Sequence, residues 1–150
     1  MRFTLATLLA AATVLAAPSP TVETGPSPGF HAPAATHSVW ISENEIYPPN
    51  TVAKVGDSIN FIFVRGTDMV AQSSYDAPCV QLKGGFYFGP YFIDGPKHHS
   101  IFLEVMNNDP IWLFNGAEDH CHNRGVVGAI NSPETAEMNV AGFKKAAMAK

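Results

Sequence analysis

Cysteine is nearly absent from this chain: 150 residues carry two, Cys79 and Cys121. In an oxidising compartment that leaves one disulfide as the simplest use of both. Basic clusters are absent as well. Nine Lys and Arg stand against 13 Asp and Glu, a net charge of −4. That balance excludes a nucleic-acid partner and an anionic membrane surface, both of which need clustered cations. No Asn-x-Ser/Thr sequon occurs, so no N-glycosylation is expected. The glycine pairs and turns, Gly84-Gly85 and Gly89-Pro90, lack the strand–helix setting of a phosphate loop. No internal repeat is present. Beyond the first residues no apolar run reaches membrane-spanning length. The lysines Lys144, Lys145 and Lys150 take the place of a hydrophobic tail, so no lipid-anchor signal is expected.

What is present starts with a leader. Met1-Arg2 precedes an apolar run from Phe3 to Ala17, and Val14-Leu15-Ala16 carries the small residues that signal peptidase reads. This predicts a signal peptide over 1–16 and a secreted, extracellular product. Residues 17–36 are rich in Pro, Gly, Ser, Thr and Ala and predict a linker without a core of its own. About 110 residues then remain, enough for one domain with one core.

Within 37–132 the pattern is of short strands separated by Gly/Pro turns. His37–Ile41, Thr51–Val55 and Ser58–Arg65 read as strands, the last with Ile59, Phe61 and Phe63 on one face. Gly56-Asp57 predicts a hairpin between the second and third. Gly66–Pro78 reads as a polar connection that holds a short strand, Val70–Ser73. Cys79–Pro96 reads as a long irregular loop. Its rings, Phe86, Tyr87, Phe88, Tyr91 and Phe92, either cap the end of a barrel or form a contact surface. His98–Val105, Ile111–Phe114 and Val126–Ile130 complete the strands. Residues 133–150 hold good helix formers and predict one amphipathic helix over about 133–147, docked through Met138, Phe143 and Ala147. The fold class expected is all-β, a Greek-key sandwich or barrel with a C-terminal α-helix.

The most chemically loaded stretch is Trp112–Val127, where a buried strand leads into His120-Cys121-His122. Its surroundings carry a resemblance. Ile46–Asp57 followed by Ile59-Asn60-Phe61, then Gln72-Ser73, Pro78-Cys79, Pro110-Ile111-Trp112, His120-Cys121 and Gly128–Asn131 occur in the order and spacing of a cupredoxin. More narrowly, the chain resembles the small secreted cupredoxin-like proteins of fungi, which are similar to plant phytocyanins. The resemblance covers about Val39 to Asn131. It implies a cupredoxin fold and pairs Cys79 with Cys121, the bond already expected from the cysteine count.

The resemblance also implies where a copper site would lie, and there the sequence departs from the pattern. A type-1 site takes two imidazoles, one thiolate and a weak axial ligand. The matching positions here are Asp68, Asn115, His120 and Val126, so His120 alone is kept. Asn115 replaces the thiolate and Val126 has no donor. A degenerate site without blue-copper electron transfer is therefore expected, with no cofactor as the leading reading. Copper or zinc held by Asp68, Asn115 and His120, with His122 as an extra ligand, is the alternative. A second alternative is an enzyme using an Asp68–His120 dyad, although no motif supplies a nucleophile and no catalytic residue is assigned. His98 and His99 read as surface residues. The partner implied is extracellular: a protein, a cell-wall component or a small molecule.

Overall fold

The computed structural model describes residues 34–134 and 137–149. The expected signal peptide and all but the last three residues of the expected linker lie outside the described residues.

Eight strands build the domain: β1 Thr36–Ser42, β2 Ile46–Tyr47, β3 Asn50–Thr51, β4 Ser58–Ser73, β5 Tyr87–Ile93, β6 His99–Glu104, β7 Ile111–Phe114 and β8 Val127–Ile130. Two short helices, α1 His120–Arg124 and α2 Val140–Met148, accompany them. The long strand β4 belongs to both halves of the sandwich. Its first half lies between β1, to which it runs parallel, and antiparallel β6. Its second half pairs antiparallel with β5 on one side and β7 on the other. β7 then pairs with β8, and β8 lies parallel to β3.

β4 crosses from one half to the other through two irregularities. Gly66 takes φ +92°, and a Cβ there would collide with the Glu43 side chain. The register with β5 shifts between Asp68 and Val70. A bulge of this kind bends a strand and re-aims its side chains. Here it delivers Asp68 to the interior.

The main core lies between the halves. Val39, Ile41, Ile59, Phe61 and Phe63 from the first meet Val70, Leu113 and Ile130 from the second. Alternation in β1 and in the first half of β4 follows from one wet face and one dry face. A second apolar cluster lies on the far side of β4, β7 and β8, where Met69, Ala71, Trp112, Val127 and Ala129 are covered by Phe143 and Ala147 of α2. Tyr75 and Trp112 stack edge to face at 4.9 Å, and Trp112 lies 5.0 Å from the Phe143 ring.

Several sequence expectations are corrected. No hairpin forms across Gly56-Asp57. Thr51 pairs with β8 instead of with β4. The turn is held by the Asp57 carboxylate, which accepts from the Ala35 and Lys54 amides at 2.8 and 2.9 Å and meets His37 Nε2 at 2.9 Å. The polar connection after Gly66 is the second half of β4, and its strand character is hidden because both of its faces are buried. Part of the expected loop Cys79–Pro96 is β5. There Phe86, Phe88 and Tyr91 pack against the core, while Tyr87 and Phe92 are exposed. The five rings therefore do not share one surface, because strand alternation separates them. The terminal helix starts at Val140, not at residue 133. Asn139 is its N-cap, its side chain accepting from the Gly142 amide at 2.9 Å. Phe143 and Ala147 dock as expected, whereas Met138 precedes the helix and is half exposed.

Candidate functional site

Four chain segments converge at one end of the sandwich. β4 supplies Asp68 at its bulge. The end of β7 leads into Asn115. A tight turn through Glu118 and Asp119, both with positive φ, starts α1 with His120. Gly125, in the left-handed conformation, closes α1 and leads to Val126. Backbone bonds fasten these pieces together: Asn115 N donates to Val126 O at 2.9 Å, and Val126 N to His120 O at 3.3 Å. The cystine between Cys79 and Cys121 sits next to His120, with Cα atoms 5.6 Å apart, and anchors α1 to the segment after β4.

Asp68, Asn115 and Val126 are wholly buried, and His120 is 3% exposed. Asn115 is the hub. Its Oδ1 accepts from the Met69 and Ala117 amides, each at 3.1 Å. Its Nδ2 donates to Asp68 Oδ1 at 2.6 Å and to Ser42 O at 3.2 Å. One carboxamide thus ties β1, β4 and the β7–α1 turn together. All its hydrogen-bonding capacity toward protein is engaged.

Asp68 has no such balance. Its Oδ2 is buried without a hydrogen-bond partner, and so is Nε2 of His120. Burial pushes the Asp68 carboxyl up to about 6, against the opposing hydrogen bond from Asn115 and the positive influence of His120; Glu43 and Glu118 nearby raise it further. Among the described hydrogen bonds none joins Asp68 to His120, although the imidazole acts on the carboxyl electrostatically. His122 takes no part in the cluster: its Nδ1 lies 2.6 Å from Asp119 Oδ1 in a largely exposed pair.

These residues do not fit a type-1 copper ion. Asn115, where the resemblance places the thiolate, is a neutral amide already saturated with bonds to the protein, Asp68, where it places one imidazole, is a carboxylate, and Val126 offers no donor. Among the described residues no group of three or more His, Cys, Asp and Glu is placed to hold a metal.

Partners of Asn115 were not legible in the sequence. Ser42 and Met69 lie 73 and 46 residues away from it. One face was also passed over. Alternation in His37–Ile41 already turns Trp40 away from buried Val39 and Ile41, a signal that marks an exposed ring.

Sandwich topology, cystine and the loop that sets His120 give this chain a cupredoxin-like fold. It is similar to a fungal cupredoxin: 28% identity over 119 residues to the probable GPI-anchored cupredoxin-1 of Arthroderma benhamiae, covering 77% of this chain and 61% of that protein. It is also 28% identical over 117 residues to an extracellular serine-rich protein of the same fungus, covering 75% of this chain and 45% of that one. The chain thus spans about half the length of these relatives. Among solved structures, pseudoazurin from Sinorhizobium meliltoi superposes with TM-score 0.43 at 17% identity, over 69% of this chain and 77% of that one. Auracyanin from Roseiflexus castenholzii gives 0.45 at 11% identity, over 63% and 94%. No protein-family model matches the chain.

Proposed function

We propose that this is a secreted, extracellular binding or accessory protein that keeps the cupredoxin frame and has exchanged blue-copper electron transfer for a structural hub. Asn115 carries this reading. Where the resemblance places the copper thiolate stands a carboxamide with four hydrogen bonds to protein. The two fungal relatives, one named GPI-anchored and the other extracellular, support the location. Among the described residues no helix is long and apolar enough to cross a membrane.

The buried, unpartnered Asp68 Oδ2 and His120 Nε2 favour a second reading, an N/O site for Cu(II) or Zn(II). Calorimetric titration with each ion separates the two. The proposed role predicts no stoichiometric binding. Tight one-to-one binding abolished by His120→Ala would establish the metal-binding reading in its place.

A further inference from the structure

The outer face of the first sheet carries an uncommon combination of side chains. Trp40 on β1 is 42% exposed, Tyr47 on β2 56% and Phe102 on β6 61%. Strand register puts them on one surface. Trp40 lies opposite Tyr47 on one side and Ile62 on the other, and Ile62 lies opposite Ser100. In the next row Ser38, Asn60 and Phe102 are aligned across β1, β4 and β6. The ring centroids of Trp40 and Tyr47 are 6.4 Å apart and the planes differ by 46°, so they form a shallow V. Phe102 stands two strands from Trp40, about 10 Å across the sheet.

Charge is missing from these rows. Beyond them one charge of each sign stands in register, Glu104 next to Ser58 at one end and Arg65 next to Ser42 at the other. A nucleic acid, an anionic polysaccharide or an anionic lipid surface would need clustered cations, and a polycation would need several carboxylates. What the face offers is aromatic area beside neutral hydroxyl and amide groups. That is the chemistry of a neutral sugar chain. The C–H faces of its rings stack on aromatic side chains, and its hydroxyls bond to Ser and Asn. With its linkages and hydroxyls equatorial, a β-glucan leaves the C–H faces of its rings free to stack, which suits a sheet face with rings spread along it.

We infer that the Trp40–Tyr47–Phe102 face binds a neutral β-linked glucan. Trp40 and Tyr47 cradle one sugar and Phe102 stacks a second further along the chain, with the Ser38 and Ser100 hydroxyls between them. The inference rests on the extracellular binding role proposed above and supplies its partner. It is independent of the site around Asn115, which lies at an end of the sandwich and not on this face. Failure here leaves the metal titration untouched, and a positive metal titration leaves this test untouched.

The experiment is retention of the purified full chain by insoluble β-1,3-glucan and by cellulose, with soluble β-glucan in affinity electrophoresis. The expected result is retention on at least one glucan. Retention should fall at least tenfold in Trp40→Ala/Tyr47→Ala and less in Phe102→Ala, with unchanged melting temperatures showing that the variants fold. If melting shows a variant unfolded, Trp40→Phe/Tyr47→Phe replaces it, and a partial loss is expected because ring area is kept. Sedimentation of the same samples tests whether a second copy of the chain covers the face. No retention of the native chain overturns the inference. So does equal retention of the folded variants, or a dimer that dissociates in Trp40→Ala without glucan binding.

Discussion

Asn115 is a residue whose loss has a definite cost. Asn115→Leu fills its volume but leaves the Met69 and Ala117 amides, the Ser42 carbonyl and Asp68 without their partner. Buried groups left unpaired cost about 1–3 kcal/mol each, so a loss of at least ~3 kcal/mol is expected in chemical denaturation. Asp68 and Asp57 set opposite pH dependences. Asp68 titrates near 6 when folded and near 3.8 otherwise, so the folded state binds the extra proton. Its contribution is fully present below pH 4 and is lost as pH rises through 6. Asp57 is held down at about 2, first by the Lys54 amide and then by His37, and its contribution is lost as pH falls from 4 toward 2. Melting temperature should therefore be highest near pH 4 and fall by a few degrees toward pH 7. Asp68→Asn should remove that upper slope, and a slope unchanged in the variant would refute the assignment.

At the scale of elements, α2 and the cystine work together. Phe143 is wholly buried against Tyr75 and Trp112, and Ala147 lies over Cys79. Phe143→Ala is expected to cost about 3–5 kcal/mol by the ring area lost and the cavity left. Asn139→Ala removes a cap worth ~1 kcal/mol. Reducing Cys79–Cys121, which closes a loop of 42 residues, should cost roughly 4 kcal/mol in the chain-entropy account. Guanidinium melts of the variants and of the reduced chain check all three. The elements also show what could be read beforehand. β1, the first half of β4, β6, β7 and β8 were legible because one wet face leaves a two-residue period or a short apolar run. The second half of β4 was not: Asp68 and Asn115 bury polarity there, and α2 covers the face that would otherwise be wet. β5 was hidden by its glycine and proline. The start of α2 was misplaced because good helix formers before Asn139 outweighed a cap that only the geometry reveals. In the site, His120 and the vacated positions were legible from spacing. The hydrogen bonds of Asn115 were not, since they join residues far apart in the chain.

As a whole molecule, the protein has a cupredoxin-like fold in which the end where the resemblance places copper is filled by buried side chains. The carboxamide of Asn115 ties together strands that the family resemblance would have a metal ion join, and Val126 is buried where the resemblance places the axial ligand. A covalent copper–thiolate bond is what gives a type-1 centre its colour, and both cysteine sulfurs of this chain are held in a cystine. The direct measurement is the visible absorption spectrum of the purified chain after one equivalent of Cu(II) is added under non-reducing conditions. The expected spectrum shows only the weak absorption of copper bound through nitrogen and oxygen, or of free copper. An intense blue charge-transfer band would contradict it.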